Sequence, residues 1–297
     1  LTDKSSKITS YLFSKLLKNI LNAIENSKEI SHSQFTKQLL KDFDSSRKEI
    51  SKDLKVTTSF YEIVLGPVIQ SGSGFDLRLN AISNNLILSQ DCIVFSMGGH
   101  YLGLNSFIAR SLIINPEDQD KENYIALYQI HNFLITKMKI GNKISDVFEE
   151  VMSFAKSKFP NLVNKLPQNF GFGIGYEFRE NCLIIKAGNK HEIKDGQVFA
   201  IASSFKDLKG FKKKEYSLLI SDTIEIHKDQ PVVLTEKVPN RFEEIAFTFD
   251  EVEEIEEIKE EKPFIKISDE PIIIDISRDV PKKKRKRFNF IEDYRKL

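Results

Sequence analysis

The chain has 297 residues, of which 40% are hydrophobic and 29% are charged, as is ordinary for a globular protein with a sizeable core. Its formal net charge of +1 points to no particular partner, so charge-driven recognition must come from local patches. No apolar run approaches the roughly 20 residues that a membrane-spanning helix needs. The first residue is Leu and no signal-peptide pattern follows it, so we expect a fragment of a longer protein.

The first part of the chain predicts two helices followed by strands. Residues 5–26 carry Ile and Leu at four-residue steps, which predicts an amphipathic helix, and residues 33–43 predict a second one. Segments rich in β-branched and aromatic residues then predict strands over 60–72 and 107–115, and either a strand pair or one long bent strand over 85–99.

The second part repeats this order. Helical spacing returns over 118–139, and Ser145 can cap a further helix that ends near Lys158. Three β-rich segments follow, "NCLIIKAG", "DGQVFAIASSF" and "EYSLLISDTIEIH". Helices, strands, helices and strands in this order predict an α+β fold rather than a strict βαβ alternation. We expect two halves, 55–140 and 141–235, to be related as helix-plus-strand repeats.

Beyond residue 235 the charged residues are grouped into blocks of like charge. Residues 250–261 hold eight acidic residues and one lysine, whereas 281–287 read "PKKKRKR". Such blocks are typical of solvated linkers or interaction tails. We therefore predict a lobe over 1–235 and a charged connecting arm over 236–297, in which the acidic block can form a short surface helix and "EPIIIDI" an edge strand.

No familiar catalytic pattern is present. Gly171, Gly173 and Gly175 form G-x-G-x-G, which is neither a dinucleotide-binding nor a Walker phosphate loop. The five histidines are scattered without zinc-motif spacing, and no G-x-S-x-G nucleophile elbow occurs. Cys92 and Cys182 both have apolar neighbours, so we expect buried free thiols in a reducing compartment.

Five motifs in chain order nevertheless resemble a known superfamily. They are "PVIQSGSGFDLRL", "GGHYLGLNSFIARSLIIN", "NFGFGIGYEFRE", "IKDGQVFAIASSF" and "ISDTIEI". This order resembles the pita-bread enzymes, which include methionine aminopeptidase, prolidase and creatinase. "GFGIGYEFRE" followed by "GQVFAI" and "DLKG" is more specifically similar to the aminopeptidase-like domain family of the large subunit of FACT, a histone chaperone. The resemblance covers about residues 1–235 and implies that a smaller lobe would precede Leu1. It also implies the pita-bread fold, a curved, mostly antiparallel sheet with the long helices on its outer face.

The resemblance also implies where a dimetal site would lie. The superfamily's enzymes hold two metal ions with two aspartates, a histidine and two glutamates. Matched motif by motif, these ligand positions fall on Ser96, Phe107, Phe172, Ala202 and Ser221. Phenylalanine and alanine cannot ligate a metal, and serine is a weak neutral ligand. Arg179 stands where the enzymes have a histidine. We therefore expect no metal, no cofactor and no catalysis, and the alternative is a metallopeptidase-like hydrolase with a rearranged site.

Two interpretations of the emptied groove stay open. In one, the five residues are packing residues, with Phe107 and Phe172 filling the vacated volume. In the other, the groove binds peptides, with Glu177, Arg179 and Glu180 near its rim.

For partners, the resemblance implies core histones, of either or both kinds of histone pair, and a small FACT subunit bound through other parts of a full-length chain. It implies roles in transcription, DNA replication and repair, in the nucleus and on chromosomes. The acidic block offers candidate histone-binding residues at Glu253, Glu254, Glu256 and Glu257, although the block can equally be a solvated linker. The basic run resembles a nuclear localisation signal and can contact DNA weakly or nonspecifically. A scaffold that binds histones only weakly is a third possibility, and no membrane contact is expected.

Overall fold

The structure is a computed structural model that describes residues 1–210, 214–253 and 284–289. Its α-helices are α1 (Thr2–Glu25), α2 (His32–Leu54), α3 (Asp118–Lys137), α4 (Ile144–Lys158) and α5 (Phe242–Ile245). Its strands are β1 (Tyr61–Ser71), β2 (Cys92–Tyr101), β3 (Leu104–Ile114), β4 (Gly171–Gly173), β5 (Val198–Gly210), β6 (Lys214–Glu225), β7 (Val232–Val233), β8 (Ala246–Glu253) and β9 (Lys284–Asn289). None of the helices in these ranges combines the length and apolarity that crossing a bilayer requires.

Two similar halves meet at the centre of one sheet. Its strand order is β1-β2-β3-β6-β5-β4, and every neighbouring pair in this path is antiparallel. In each half two helices precede three strands, and the halves join where Ala109 of β3 pairs with Ser221 of β6. The α+β class with a mostly antiparallel sheet is confirmed. The halves divide after β3, near residue 115, rather than near 140, because each helix pair precedes its own strands.

The long helices pack on one face of the sheet, which we call the outer face. Phe95 and Met97 of β2 are fully buried against α1, and the ring of Phe95 stacks on that of Phe13 at 4.4 Å. The second half repeats this packing with α3 against β5 and β6, and α4 packs beside α3. Because side chains alternate along a strand, Val94 and Ser96 face the opposite way. Within the described ranges no long helix covers this inner face, which forms the cleft described below.

Three local predictions are wrong. "NCLIIKAG" forms a 3₁₀ turn at Asn181–Leu183 rather than a strand, because the chain turns back here to close the 174–180 loop. The N-cap of α4 is Lys143, not Ser145. Cys182 is exposed, whereas Cys92 is buried and its pKa is raised well above the usual thiol value by burial.

Packing continues beyond residue 235. Strand β8 runs parallel to β3, where Ile113 pairs with Ala246, and it buries Phe247 and Phe249 against the first half of the lobe. Residues 250–253 of the acidic block belong to this strand rather than to a helix. The boundary at 235 stays a prediction, but residues beyond it still pack against the lobe. The segment "EPIIIDI" lies outside the described residues.

Candidate functional site in the cleft of the sheet

A cleft of about 750 Å³ opens on the inner face of the sheet. Its floor comes from strands β1 to β6, and its walls come from residues 76–81 and 166–169. The 76–81 wall is held in place by Gln70, whose side-chain amide donates to the carbonyl of Asp76 and accepts from its N–H, both at 2.6 Å. The volume falls within the range of about 300–1,000 Å³ that is usual for ligand pockets.

All five positions matched to the superfamily's ligands share this inner face. Ser96 pairs with Ala109, which pairs with Ser221, which pairs with Ala202. Phe107 lies two residues before Ala109 on its strand, and Phe172 pairs with Ala200, two residues before Ala202. Since positions two apart lie on the same face, the register brings all five together. Four of them line the cleft, whereas Ser221 is fully buried and donates to the carbonyl of Ile201 at 2.7 Å.

Aromatic rings occupy the centre of this face. Phe178 meets Phe107 edge-on at a centroid distance of 5.9 Å and lies 6.4 Å from Phe172. Phe107 and Phe172 are 4% and 5% exposed, so they form a packed floor. Phe178 lies directly over Gly98, where an added Cβ would come within 2.5 Å of its ring. The sequence analysis did not single out Phe178, because its position over Gly98 joins two parts of the chain that are far apart in sequence.

These residues do not fit a pair of metal ions. The five positions offer two serine hydroxyls and no carboxylate or imidazole, whereas divalent metals need several such ligands. The carboxylate of Asp76, which also lines the cleft, is engaged by Arg78 at 2.7 Å. Over the part of the chain that the structure describes, no three His, Cys, Asp or Glu side chains are grouped so that they could hold a metal.

The cleft is positively charged. Arg78, Arg179 and Lys206 line it, against the single carboxylate of Asp76. Hydrogen bonds from Arg78 lower the pKa of Asp76, and the Coulombic attraction of Arg78 and of Lys206 lowers it further. The guanidinium carbon of Arg179 lies 5.8 Å from the centroid of the Phe172 ring. Arg179 and Lys206 form no ion pair with any residue in the described ranges.

The predicted rim residues do not all reach the cleft. Arg179 lines it, whereas Glu177 is exposed outside it and Glu180 lies against Gly175. In the acidic block, Glu253 ends β8 and pairs in register with Lys284 of β9, as Asp250 does with Arg287. Glu254, Glu256 and Glu257 lie outside the described residues.

A buried ion pair lies on the outer face, behind the cleft. Arg110 donates to Asp222 at 2.7 Å, and His131 contacts the other carboxylate oxygen at 3.1 Å. Arg110 also donates to the carbonyls of Ser221 and Pro239, while Thr235 donates to Asp222. Burial by itself would raise the pKa of Asp222, but the positive charge of Arg110 and the bond to His131 hold this pKa well below its usual value. This network anchors β3 to β6 beneath the five positions.

Comparison with known proteins agrees with the predicted resemblance. The model of metallopeptidase family M24 matches residues 2–228. A FACT complex subunit SPT16 of Dictyostelium discoideum is 34% identical over 250 residues, covering 82% of this chain and 23% of that protein. The chain thus spans about a quarter of the length of the curated relatives it matches.

Solved structures give the same result. The N-terminal domain of FACT complex subunit SPT16 from chickpea has a TM-score of 0.77 and 30% identity, covering 82% of this chain and 59% of that one. An X-Pro aminopeptidase from Thermotoga maritima has a TM-score of 0.64 at 15% identity, covering 83% of this chain and 63% of that one, so this likeness concerns the fold alone. The predicted pita-bread fold and the resemblance to FACT subunits are confirmed.

Proposed function

Because this chain belongs to metallopeptidase family M24, in a branch whose similar members are named FACT complex subunits, we propose that it is a non-catalytic module that binds core histones in a complex of that kind. The observation that carries the proposal is a pita-bread lobe whose inner face has phenylalanine, alanine and serine at the five ligand positions. The module would act in transcription, DNA replication, repair and nucleosome reorganisation, in the nucleus and on chromosomes.

The absence of catalysis follows from the chemistry of the residues at the five positions. A two-metal hydrolase needs carboxylates to hold the ions and activate water. The loss of even one outer partner of a metal ligand typically costs 10–100-fold in metal affinity or activity. Here all the ligand positions themselves lack a carboxylate or imidazole, and Phe107 and Phe172 pack with Phe178 in their place. This packing favours the non-catalytic module over a hydrolase with a rearranged site.

We place histone binding outside the cleft. Histones are strongly basic, and a cleft lined by Arg78, Arg179 and Lys206 would repel their tails. Carboxylates that can attract histones are the exposed Glu177, its neighbour Glu180 and the acidic block from Asp250 onward. In a full-length chain, other parts would bind a small FACT subunit, and the basic run at 281–287 would support nuclear import or weak, nonspecific DNA contact.

Metal analysis and peptide turnover distinguish the module from a hydrolase. The purified protein, dialysed against Mn²⁺, Co²⁺ or Zn²⁺, should retain less than one ion per chain and should not cleave peptides with N-terminal methionine or an X-Pro bond. Two ions per chain, together with cleavage that chelators abolish, would show that the site is catalytic after all.

Binding to each of the two kinds of core-histone pair tests the partner. We expect replacement of Glu253, Glu254, Glu256 and Glu257 by Gln to weaken binding about tenfold or more, because several attractive charges are removed. Glu177→Gln with Glu180→Gln should weaken it less. Glu149→Gln, on the exposed side of α4, is the matched control and should change nothing. If histones bind only below about 0.1 M salt, long-range charge attraction alone explains the binding. That result would favour the alternative of a scaffold that binds histones only weakly.

A further inference from the structure

We propose that the cleft binds a short acidic peptide segment in an extended conformation, with its carboxylates at Arg179 and Lys206 and its apolar side chains on the floor. This proposal goes beyond histone binding and does not depend on it, since histones are basic and the cleft is cationic. It assigns a ligand to the one face of the sheet on which the superfamily's chemistry has been replaced.

The first argument is charge without internal compensation. Of the three cations in the cleft, only Arg78 forms an ion pair with the carboxylate of Asp76, which Lys206 attracts at longer range. Arg179 and Lys206 are exposed and have neither an ion pair nor a hydrogen bond within the described ranges. The planar guanidinium of Arg179 offers five N–H donors, arranged to hold a carboxylate through two parallel bonds. An anionic ligand would supply the missing partners.

The second argument is the floor between these cations. Val94, Phe107, Phe172 and Leu219 line it and belong to the packed core, so the surface is apolar and firm. An extended peptide directs alternate side chains to opposite sides. A segment that alternates acidic and apolar residues can therefore place apolar groups on this floor while its carboxylates reach the cations.

The same features disfavour nucleic acid as the ligand. Single strands bind by stacking bases on open aromatic faces along a basic groove. In this cleft the rings of Phe107 and Phe172 are only 4% and 5% exposed, and Arg179 lies over one of them. A lysine-rich peptide is disfavoured by repulsion from the same cations.

Fluorescence anisotropy on the full chain tests the proposal. The probe is a fluorescein-labelled heptapeptide in which glutamate alternates with leucine, measured at about 0.15 M salt, where weak long-range attraction is screened. Comparison ligands are the same peptide with glutamine for glutamate, its lysine version and a labelled oligo-dT of eight nucleotides. Protein variants are Arg179→Gln and Lys206→Gln, with Lys41→Gln on the exposed side of α2 as the matched control.

We expect saturable binding of the acidic peptide only, at least about tenfold tighter than the glutamine version, because hydrogen bonds from a cation to a carboxylate are stronger than those to a neutral amide. Arg179→Gln and Lys206→Gln should each weaken binding about tenfold, whereas Lys41→Gln should not. Both side chains are exposed, so these variants should keep the unfolding midpoint of the native chain. Absence of peptide binding, an equal loss with Lys41→Gln, or oligo-dT binding with the same variant pattern would each overturn the proposal. Histone binding is measured on the same variants. If histone binding persists when peptide binding is lost, the two ligands use different surfaces, and a failure of one proposal leaves the other intact.

Discussion

At the residue scale, the matched motifs contain two kinds of residue. Some stabilise the fold, and others stand at the positions matched to the enzymes' metal ligands. Arg110 belongs to the superfamily's D-x-x-R context and Asp222 to its "DT" segment, and both are present here as one buried pair. By the same motif match, the neighbouring positions Phe107 and Ser221 correspond to metal-ligand positions of the enzymes. Alternation along β3 and β6 explains this separation, because Arg110 and Asp222 face the helices whereas Phe107 and Ser221 face inward.

The pair should be costly to break. Asp222→Asn would leave the guanidinium of Arg110 buried without a counter-charge, and we expect a loss of about 3–5 kcal/mol in the free energy of unfolding at pH 7. Urea denaturation would measure this loss, with the exposed Asp229→Asn as the control that should change little.

The contribution of Asp222 to the free energy of unfolding should also depend on pH. The pKa of Asp222 is lower in the folded chain than its ordinary value of 3.8, so its contribution is fully present above about pH 4 and is lost as the pH falls below it. The deficit of Asp222→Asn should therefore shrink between pH 5 and pH 3. A deficit that stayed constant over this interval would mean that the ionised carboxylate is not what stabilises the fold.

At the element scale, β2 connects the cleft to the helices through two adjacent glycines. An added Cβ at Gly98 would meet the ring of Phe178, and one at Gly99 would lie 2.2 Å from the hydroxyl of Tyr61 and 2.3 Å from that of Thr9. These two hydroxyls are hydrogen-bonded to each other at 2.8 Å beneath α1, and Ser106 joins Thr9 at 2.8 Å. The strand can thus be approached closely on both faces.

We expect the two faces to respond differently to the same added methyl group. Gly99→Ala should destabilise the protein by about 1–3 kcal/mol, because Tyr61 and Thr9 are fully buried and cannot move aside. Gly98→Ala should cost less, since the far end of the partly exposed Phe178 ring can shift. Thermal unfolding of both variants is the measurement, and a larger loss for Gly98→Ala would contradict this account of the strand.

At the scale of the whole molecule, the two halves share one sheet, and a later segment joins them. After β6 the chain supplies the carbonyls of Val238 and Pro239 to Arg110, and β8 then covers the first half with Phe247 and Phe249. The charged blocks also meet here in part, because Asp250 and Glu253 pair in register with Arg287 and Lys284.

A truncation series tests this contribution. A chain ending at Glu236 should be less stable than one ending at Glu253 by at least about 3–6 kcal/mol, because it loses the burial of Phe247 and Phe249. It also loses the buried Val238 and Ile245 and the two carbonyls that accept from Arg110. Equal unfolding midpoints for the two chains in urea would show that the packed lobe ends near residue 235.

Much of the fold was predictable because hydrophobic period reports local structure. The helices α1, α3 and α4 and the strands β1, β3 and β6 lie where apolar spacing predicted them, within a few residues at each end. Three ends were misplaced: α2 continues past 43 to Leu54, β5 continues past 205 to Gly210, and β2 begins at Cys92 rather than near 85. The segment "NCLIIKAG" misled because a short apolar run does not reveal whether it pairs with a neighbouring strand. Strand β8 was missed because acidic residues follow its buried phenylalanines, so charge outweighed the apolar pattern.

The sequence by itself determined the class of fold, the resemblance to the family and the residue types at the five matched positions, because these depend on local spacing and on the order of motifs. Only the tertiary structure decided that those positions share one face, that Phe178 packs among them and that Arg179 and Lys206 make the cleft cationic. These features come from strand register and from contacts between separate elements of the fold, and neither is encoded in any local stretch. The same reason explains why Glu177 and Glu180, adjacent to Arg179 in sequence, do not line the cleft that Arg179 reaches.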